Sequence, residues 1–207
     1  MKFVIFHGSF GSPEENWFPD VKNNLEKLGH EVIVPRFPVE SWDELTKLGP
    51  DKSPQHQSLA SWMVAFEPFA KSFKSDEKLC FVGHSLGPLF ILHAVSRFHI
   101  QLDSAIFVSP FLTMLKRSWQ IDNANASFYK SDFDFHVLKK LIPISYAIYS
   151  EDDPYVPIEY PRKFAQQMGS SVIESKNGGH FNGEAGYTTF PLVAELCKTR
   201  IKRIGTK

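Results

Sequence analysis

The chain has 207 residues, of which 43% are hydrophobic and 22% charged, a composition that excludes a disordered chain and a coiled coil. Its 23 Lys and Arg residues balance 23 Asp and Glu residues, so no uniform field attracts a nucleic acid or an anionic membrane. This length predicts a single domain over residues 1–207.

The N-terminal apolar stretch ends at Phe6 and is shorter than the apolar core of about 7–15 residues that a signal peptide needs. No segment approaches the roughly 20 apolar residues of a membrane span either. We therefore expect a cytoplasmic protein. Cys80 and Cys197 belong to no CxxC or Cys/His cluster, which predicts two free thiols and neither a metal nor another cofactor.

Six short apolar runs lack the polar alternation of a half-exposed sheet and are typical of strands buried on both faces. They cover residues 3–6, 32–34, 79–82, 105–108, 144–149 and 171–173. Apolar residues three or four positions apart predict helices between them, over 17–28, 59–73, 88–98, 159–168 and 190–204. Pro68 is expected to kink the second of these helices or to mark its start. The alternation predicts an α/β fold with right-handed crossovers.

Two segments interrupt this alternation. Residues 39–58 contain Pro50, Pro54 and several polar residues, which predicts a loop insertion. Residues 111–136 are longer than a connection between a strand and a helix requires. This second segment is the candidate for a small lid.

The sequence Gly83-His84-Ser85-Leu86-Gly87 is a GxSxG motif between an apolar run and a helical pattern. In that setting the motif predicts a nucleophile elbow, a sharp turn that exposes the serine hydroxyl. The glycines leave space for the neighbouring backbone to pass close by. We interpret Ser85 as a candidate nucleophile.

A serine hydroxyl needs a base and an orienting acid, which follow it in the order Ser, Asp, His when a nucleophile elbow is present. Glu151-Asp152-Asp153-Pro154 follows the fifth run, and Gly178-Gly179-His180 follows the sixth. Pro154 restricts the residue before it to extended conformations, which favours Asp153 over Asp152 as the acid. His180 is the candidate base, whereas His7 and His84 are expected to have supporting or structural roles.

Acyl transfer also needs donors for the oxyanion, usually two backbone N–H groups. One is the N–H of Leu86, directly after the candidate nucleophile. The loop after the first strand supplies the other, with Ser9 preferred and Phe10 as the alternative. A dinucleotide-binding loop at this place is disfavoured because the GxGxxG spacing is absent.

These motifs together resemble those of the small α/β-hydrolase serine hydrolases related to retinoblastoma-binding protein 9 and of their compact bacterial relatives. The resemblance runs from His7 to about Leu196 and includes an HGS loop, GHSLG, EDDPYVP and GGHF. It implies a minimal α/β-hydrolase fold with a six-stranded, mainly parallel sheet in the order 2-1-3-4-5-6. It also implies Ser85, Asp153 and His180 as the catalytic triad. The insertion near residues 43–57 is longer than this family leads us to expect.

The sequence therefore predicts a serine hydrolase that acts on small carboxylic esters through an acyl-serine intermediate. An amidase or peptidase of the same mechanism and a protein-binding scaffold with little activity are the alternatives. Aromatic residues that follow the loops at the catalytic edge are candidates for substrate binding and would favour compact acyl groups. They are Phe10, Phe111, Tyr155 and Phe181.

Overall fold

The computed structural model describes residues 1–201, in which six parallel strands form one sheet in the order β2-β1-β3-β4-β5-β6. This arrangement confirms the predicted α/β class and strand order. The strands are β1 (Lys2–Phe6), β2 (Glu31–Ile33), β3 (Leu79–His84), β4 (Ser104–Val108), β5 (Ser145–Ser150) and β6 (Ser171–Ser175).

Eight helices lie within the described residues. They are α1 (Phe18–Glu26), α2 (Trp42–Leu48), α3 (Leu59–Ser72), α4 (Leu86–Phe98), α5 (Trp119–Asn125), α6 (Phe135–Leu141), α7 (Glu159–Met168) and α8 (Pro191–Thr199). Pro68 lies inside α3 and does not start it. Helix α8 ends earlier than the sequence predicts, and residues 202–204 of that prediction lie outside the described residues. None of the described helices is long and apolar enough for a membrane span.

The sheet is covered on both faces, and successive residues of a strand contribute to opposite layers. Phe3 and Ile5 of β1 pack in one apolar cluster with residues of α1 and α8. Val4 and Phe6 pack in another cluster with residues of α3 and α4. All four side chains are fully buried, which explains why β1 reads as a continuous apolar run.

The two segments that interrupt the alternation lie together. The segment predicted as a loop insertion contains α2, because Ser41 and Glu44 form a reciprocal capping box at its first turn. Helix α2 packs against α5 of the segment 111–136. Asn123 also donates hydrogen bonds from Nδ2 to the carbonyl oxygens of Pro50 and Lys52, at 3.2 and 2.8 Å. That residues 111–136 act as a lid stays a prediction.

Candidate active site

Ser85 stands at the sharp turn between β3 and α4. Its backbone has φ 60° and ψ −107°, a conformation that residues other than glycine rarely adopt. The Ser85 N–H donates to the Val108 carbonyl at 2.9 Å and ties the turn to β4. A Cβ at Gly83 would lie 2.6 Å from the Pro88 nitrogen, and one at Gly87 would lie 2.6 Å from the Phe6 carbonyl oxygen. The glycines therefore allow the close approach that the motif predicts.

Asp153 and His180 are in direct contact although 27 residues separate them. The Asp153 Oδ2 atom lies 2.8 Å from His180 Nδ1 and accepts a second hydrogen bond from Ser109 Oγ at 3.0 Å. Its Oδ1 atom accepts from the N–H groups of Tyr155 and Val156. Burial opposes ionisation of this carboxyl, but the contact with His180 and the two N–H donors hold its pKa below the ordinary value. An ionised Asp153 fixes the His180 ring with Nδ1 protonated.

Asp152 points elsewhere and holds the loop that carries His180. Its Oδ1 atom accepts hydrogen bonds from Ser150 Oγ and from the Gly179 N–H, the latter at 2.8 Å. Ser150 Oγ in turn accepts from the Gly178 N–H at 2.7 Å. The two neighbouring carboxylates thus have different partners, and only Asp153 contacts the imidazole.

The loop after β1 lies directly against the candidate nucleophile. A Cβ at Gly8 would be 2.8 Å from Ser85 Cβ and 3.3 Å from Ser85 Oγ. The Phe10 N–H donates to Gln57 Oε1 at 3.2 Å, so it is already engaged. Within residues 1–201 no acceptor takes the N–H of Ser9 or of Leu86. This pattern favours Ser9 over Phe10 as the loop's oxyanion donor.

A cavity of about 650 Å³ opens beside these groups. Ser85 and His180 line it, together with Ser9 of the β1 loop. Three of the four predicted substrate-binding residues, Phe10, Phe111 and Tyr155, also line the cavity. The Tyr155 ring stands edge-on to the His180 ring, with 5.0 Å between the ring centroids.

Phe181 does not line the cavity, and its predicted role in substrate binding is wrong. Its side chain is buried in the core and stacks on Phe190, with 5.2 Å between the ring centroids. The Phe181 carbonyl accepts from Trp17 Nε1, and its ring lies beneath Gly178, where a Cβ would overlap it. Phe181 follows the imidazole in sequence, but the turn directs the two side chains to different sides.

Several cavity residues were not among the predicted site residues. Trp42 of α2 meets the Phe10 ring edge to face at 5.6 Å between centroids. Leu115, Ile121 and Asn125 come from the segment 111–136. These residues reach the cavity through the tertiary packing of α2 against α5. No local sequence motif marks such positions.

His7 and His84 are both buried beside the site and do not contact Asp153. His7 lies 2.8 Å from the Gly8 carbonyl through Nδ1 and accepts the Phe37 N–H at Nε2, which assigns the proton to Nδ1. Burial lowers the pKa of His7 to about 4 and that of His84 to about 3. Both rings are therefore neutral near pH 7, in agreement with supporting roles.

The parallel sheet and the serine at the elbow define an α/β-hydrolase. A family model described as "Serine hydrolase" matches residues 3–199, and the chain belongs to this family. This match confirms the serine hydrolase family that the motifs predict.

Two curated relatives extend this result. YdeN of Bacillus subtilis (strain 168) is 26% identical over 194 residues, which span 93% of this chain and 92% of YdeN. Methylesterase 2 of Arabidopsis thaliana is 27% identical over 170 residues, 69% of this chain and 61% of that protein.

Solved structures share the fold. The crystal structure of the B. subtilis ydeN gene product has a TM-score of 0.80 at 24% identity and covers 98% of this chain and 99% of its own. Est1E from Butyrivibrio proteoclasticus, solved with ferulic acid bound, has a TM-score of 0.66 at 17% identity and covers 98% and 90%. Polyneuridine aldehyde esterase has a TM-score of 0.61 at 16% identity and covers 96% and 97%.

Proposed function

We propose that this serine hydrolase cleaves small carboxylic esters through an acyl-serine intermediate. The observation that carries the proposal is the convergence of Ser85, at a strained elbow, and the His180–Asp153 pair on one cavity. Two of the similar proteins are named as esterases, and a third binds the aromatic acid ferulic acid. We infer a cytoplasmic enzyme with a small-molecule substrate.

In the acylation step Ser85 Oγ attacks the ester carbonyl carbon while His180 Nε2 accepts the hydroxyl proton. The carbonyl electrons move to the oxygen, and the N–H groups of Leu86 and Ser9 stabilise the resulting oxyanion. Asp153 holds the imidazole in the tautomer that leaves Nε2 free and stabilises the imidazolium. The oxyanion then collapses, the carbon–oxygen bond to the alcohol breaks, and His180 gives its proton to the leaving alcohol.

The deacylation step repeats this chemistry with water as the nucleophile. His180 takes a proton from water as the water oxygen attacks the acyl-serine carbonyl. Collapse of the second oxyanion releases the carboxylic acid, and the proton returns to Ser85 Oγ. The cycle consumes one ester and one water and restores the enzyme.

Labelling and turnover by matched serine variants test the proposal. A fluorophosphonate probe should modify the wild-type chain at Ser85, and Ser85→Ala should lose the adduct and at least about 10²-fold in kcat on p-nitrophenyl butyrate. Ser104→Ala is the control, because Ser104 is a buried serine of β4 whose hydroxyl has no partner among residues 1–201. It should label and turn over like the wild type.

Each result of this experiment has a defined meaning. A Ser85→Ala variant that keeps more than a tenth of wild-type turnover would overturn the assignment of the nucleophile. A folded wild-type chain that neither labels nor hydrolyses esters would favour the protein-binding scaffold. A matched p-nitroanilide separates amide from ester hydrolysis, and we expect the ester to be much the better substrate.

A further inference from the structure

The segment 39–58 reaches the loop after β1 (residues 7–11, the oxyanion loop) through one buried side chain, Gln57. Its Oε1 atom accepts from the Phe10 N–H at 3.2 Å. Its Nε2 atom donates to the Ala124 carbonyl at 3.2 Å and to Asn125 Oδ1 at 3.1 Å. Gln57 is only 1% exposed, so these contacts are shielded from solvent. One side chain thus connects the loop after β1 with α5.

The donors and acceptors around Gln57 fix its orientation. An N–H group can only donate and a carbonyl can only accept, so Oε1 must face Phe10 and Nε2 must face Ala124. This orientation points Nε2 at the Asn125 side chain. Because Nε2 donates, the Asn125 amide must present its oxygen, Oδ1, to Gln57. The same Oδ1 atom accepts from Ser9 Oγ at 2.6 Å. Gln57 therefore acts on both Ser9 and Phe10, directly or through Asn125.

A buried carboxylate holds the stretch that carries Gln57. Glu40 accepts hydrogen bonds from three consecutive backbone N–H groups, those of residues 55, 56 and 57, with the last at 2.7 Å. Glu40 is buried, and hydrogen bonds to a charged acceptor are among the stronger ones in proteins. The backbone of Gln57 is thus held from within its own segment.

The oxyanion loop needs such support because its backbone is strained. Phe10 has φ 58°, a left-handed conformation that is unfavourable for a non-glycine residue. Strained residues persist where their surroundings over-determine them. The hydrogen bond to Gln57 supplies part of this constraint and also occupies the Phe10 N–H.

We propose that Gln57 is a positioning residue that holds the Phe10 N–H away from the reaction and leaves the Ser9 N–H as the second oxyanion donor. The inserted segment is then part of the catalytic machinery and not only a wall of the cavity. This inference rests on the proposed function, because it assigns a role in stabilising the oxyanion.

Two variants at one position test the inference. Gln57→Met keeps a similar volume and removes the acceptor for Phe10, and we expect kcat to fall about tenfold with KM within about twofold. This split is expected because the oxyanion forms only in the transition state. Gln57→Glu keeps an oxygen for the Phe10 N–H and should stay within about threefold of wild-type kcat. Both variants should lower Tm, because both leave the Ala124 carbonyl and Asn125 Oδ1 without the donor that Gln57 Nε2 supplies.

An inhibitor that forms an oxyanion separates positioning from a structural effect. A trifluoromethyl ketone adds to the serine and places an oxyanion in the same site, so its Ki should rise with Gln57→Met in proportion to the loss of kcat/KM. Gln101→Met is the control. Gln101 precedes β4, at the amino ends of the strands and so opposite the site, and donates to the Lys140 carbonyl. It should leave kcat and the inhibitor Ki unchanged.

The outcomes distinguish the inference from the proposed function. Equal losses of kcat in Gln57→Met and Gln57→Glu, or a loss without any change in the inhibitor Ki, would overturn the positioning role. Wild-type kcat in a folded Gln57→Met would do the same. If the wild-type chain shows no Ser85-dependent hydrolysis, the proposed function fails before the role of Gln57 is reached.

Discussion

The Nε2 atom of His84 lies 2.8 Å from the backbone carbonyl oxygen of His180, so the residue before the candidate nucleophile holds the candidate base. The two imidazole rings are also in contact, with 4.8 Å between their centroids. A carbonyl oxygen only accepts, so Nε2 of His84 carries the proton. The turn after β3 and the loop after β6 are thereby joined through one neutral ring.

Replacement of His84 by phenylalanine should reduce turnover without removing the nucleophile. The variant keeps an aromatic ring but leaves the His180 carbonyl without its donor, so the position of the base is less well defined. We expect kcat/KM for p-nitrophenyl butyrate to fall about tenfold. His84→Gln retains a donor and should recover part of this loss, whereas equal activities of His84→Phe and the wild type would contradict the role.

The two neighbouring aspartates should respond very differently to the same change. Asp153→Asn keeps the shape but favours the wrong imidazole tautomer, so we expect kcat/KM to fall at least about 10²-fold. Asp152→Asn keeps an oxygen for Ser150 and Gly179 and should stay within about fivefold of wild type. Steady-state kinetics on one ester compares both variants. A larger loss at Asp152 would reverse the assignment, and small equal losses would mean that neither residue orients His180.

Folding stability should fall in mild acid because of the buried histidines. Burial lowers the pKa of His7 from 6.5 to about 4 and that of His84 to about 3. The unfolded chain therefore binds protons at both residues below about pH 6.5, where the folded chain does not. We expect the two sites together to lower the free energy of unfolding by up to about 4 kcal/mol between pH 7.5 and 5.

Urea denaturation of the wild type and of His7→Gln at both pH values measures this effect. The variant should be less stable at pH 7.5, because it loses the contacts with Gly8 and Phe37. Its further loss on acidification should be smaller than that of the wild type by about half of the histidine contribution. An identical acid response in both proteins would show that His7 already binds a proton in the folded state.

Trp42 should contribute to substrate binding and not to the chemical step. Its ring forms an exposed wall of the cavity against Phe10, and we expect such a wall to contact bound substrate equally in the ground state and the transition state. Trp42→Ala should raise KM for apolar esters several-fold and change kcat by less than about twofold. Trp119→Ala is the matched control, because Trp119 is a similarly exposed tryptophan of α5 that does not line the cavity. A loss in kcat alone would contradict this role of Trp42.

The sequence could predict those features that depend on local patterns. Buried parallel strands appear as continuous apolar runs, and the elbow is marked because a GxSxG motif stands between a strand and a helix. The preference for Asp153 over Asp152 follows from the backbone restriction imposed by Pro154, and the observed contact with His180 agrees with it.

Features that depend on contacts between distant segments could not be predicted. Phe181 and Tyr155 both follow a predicted site residue closely, but only the turn geometry decides that one enters the core and the other the cavity. Gln57 lies in a polar, proline-containing stretch with no motif. Its place beside Phe10 requires the packing of α2 on α5 and the anchoring by Glu40.

The backbone conformation of Ser85 bears on why a serine is present at this position at all. With φ 60° and ψ −107°, glycine would adopt this turn more readily than any residue with a side chain. Under the proposed function, the hydroxyl accounts for a serine at this strained turn, and some stability at the elbow is given up for activity.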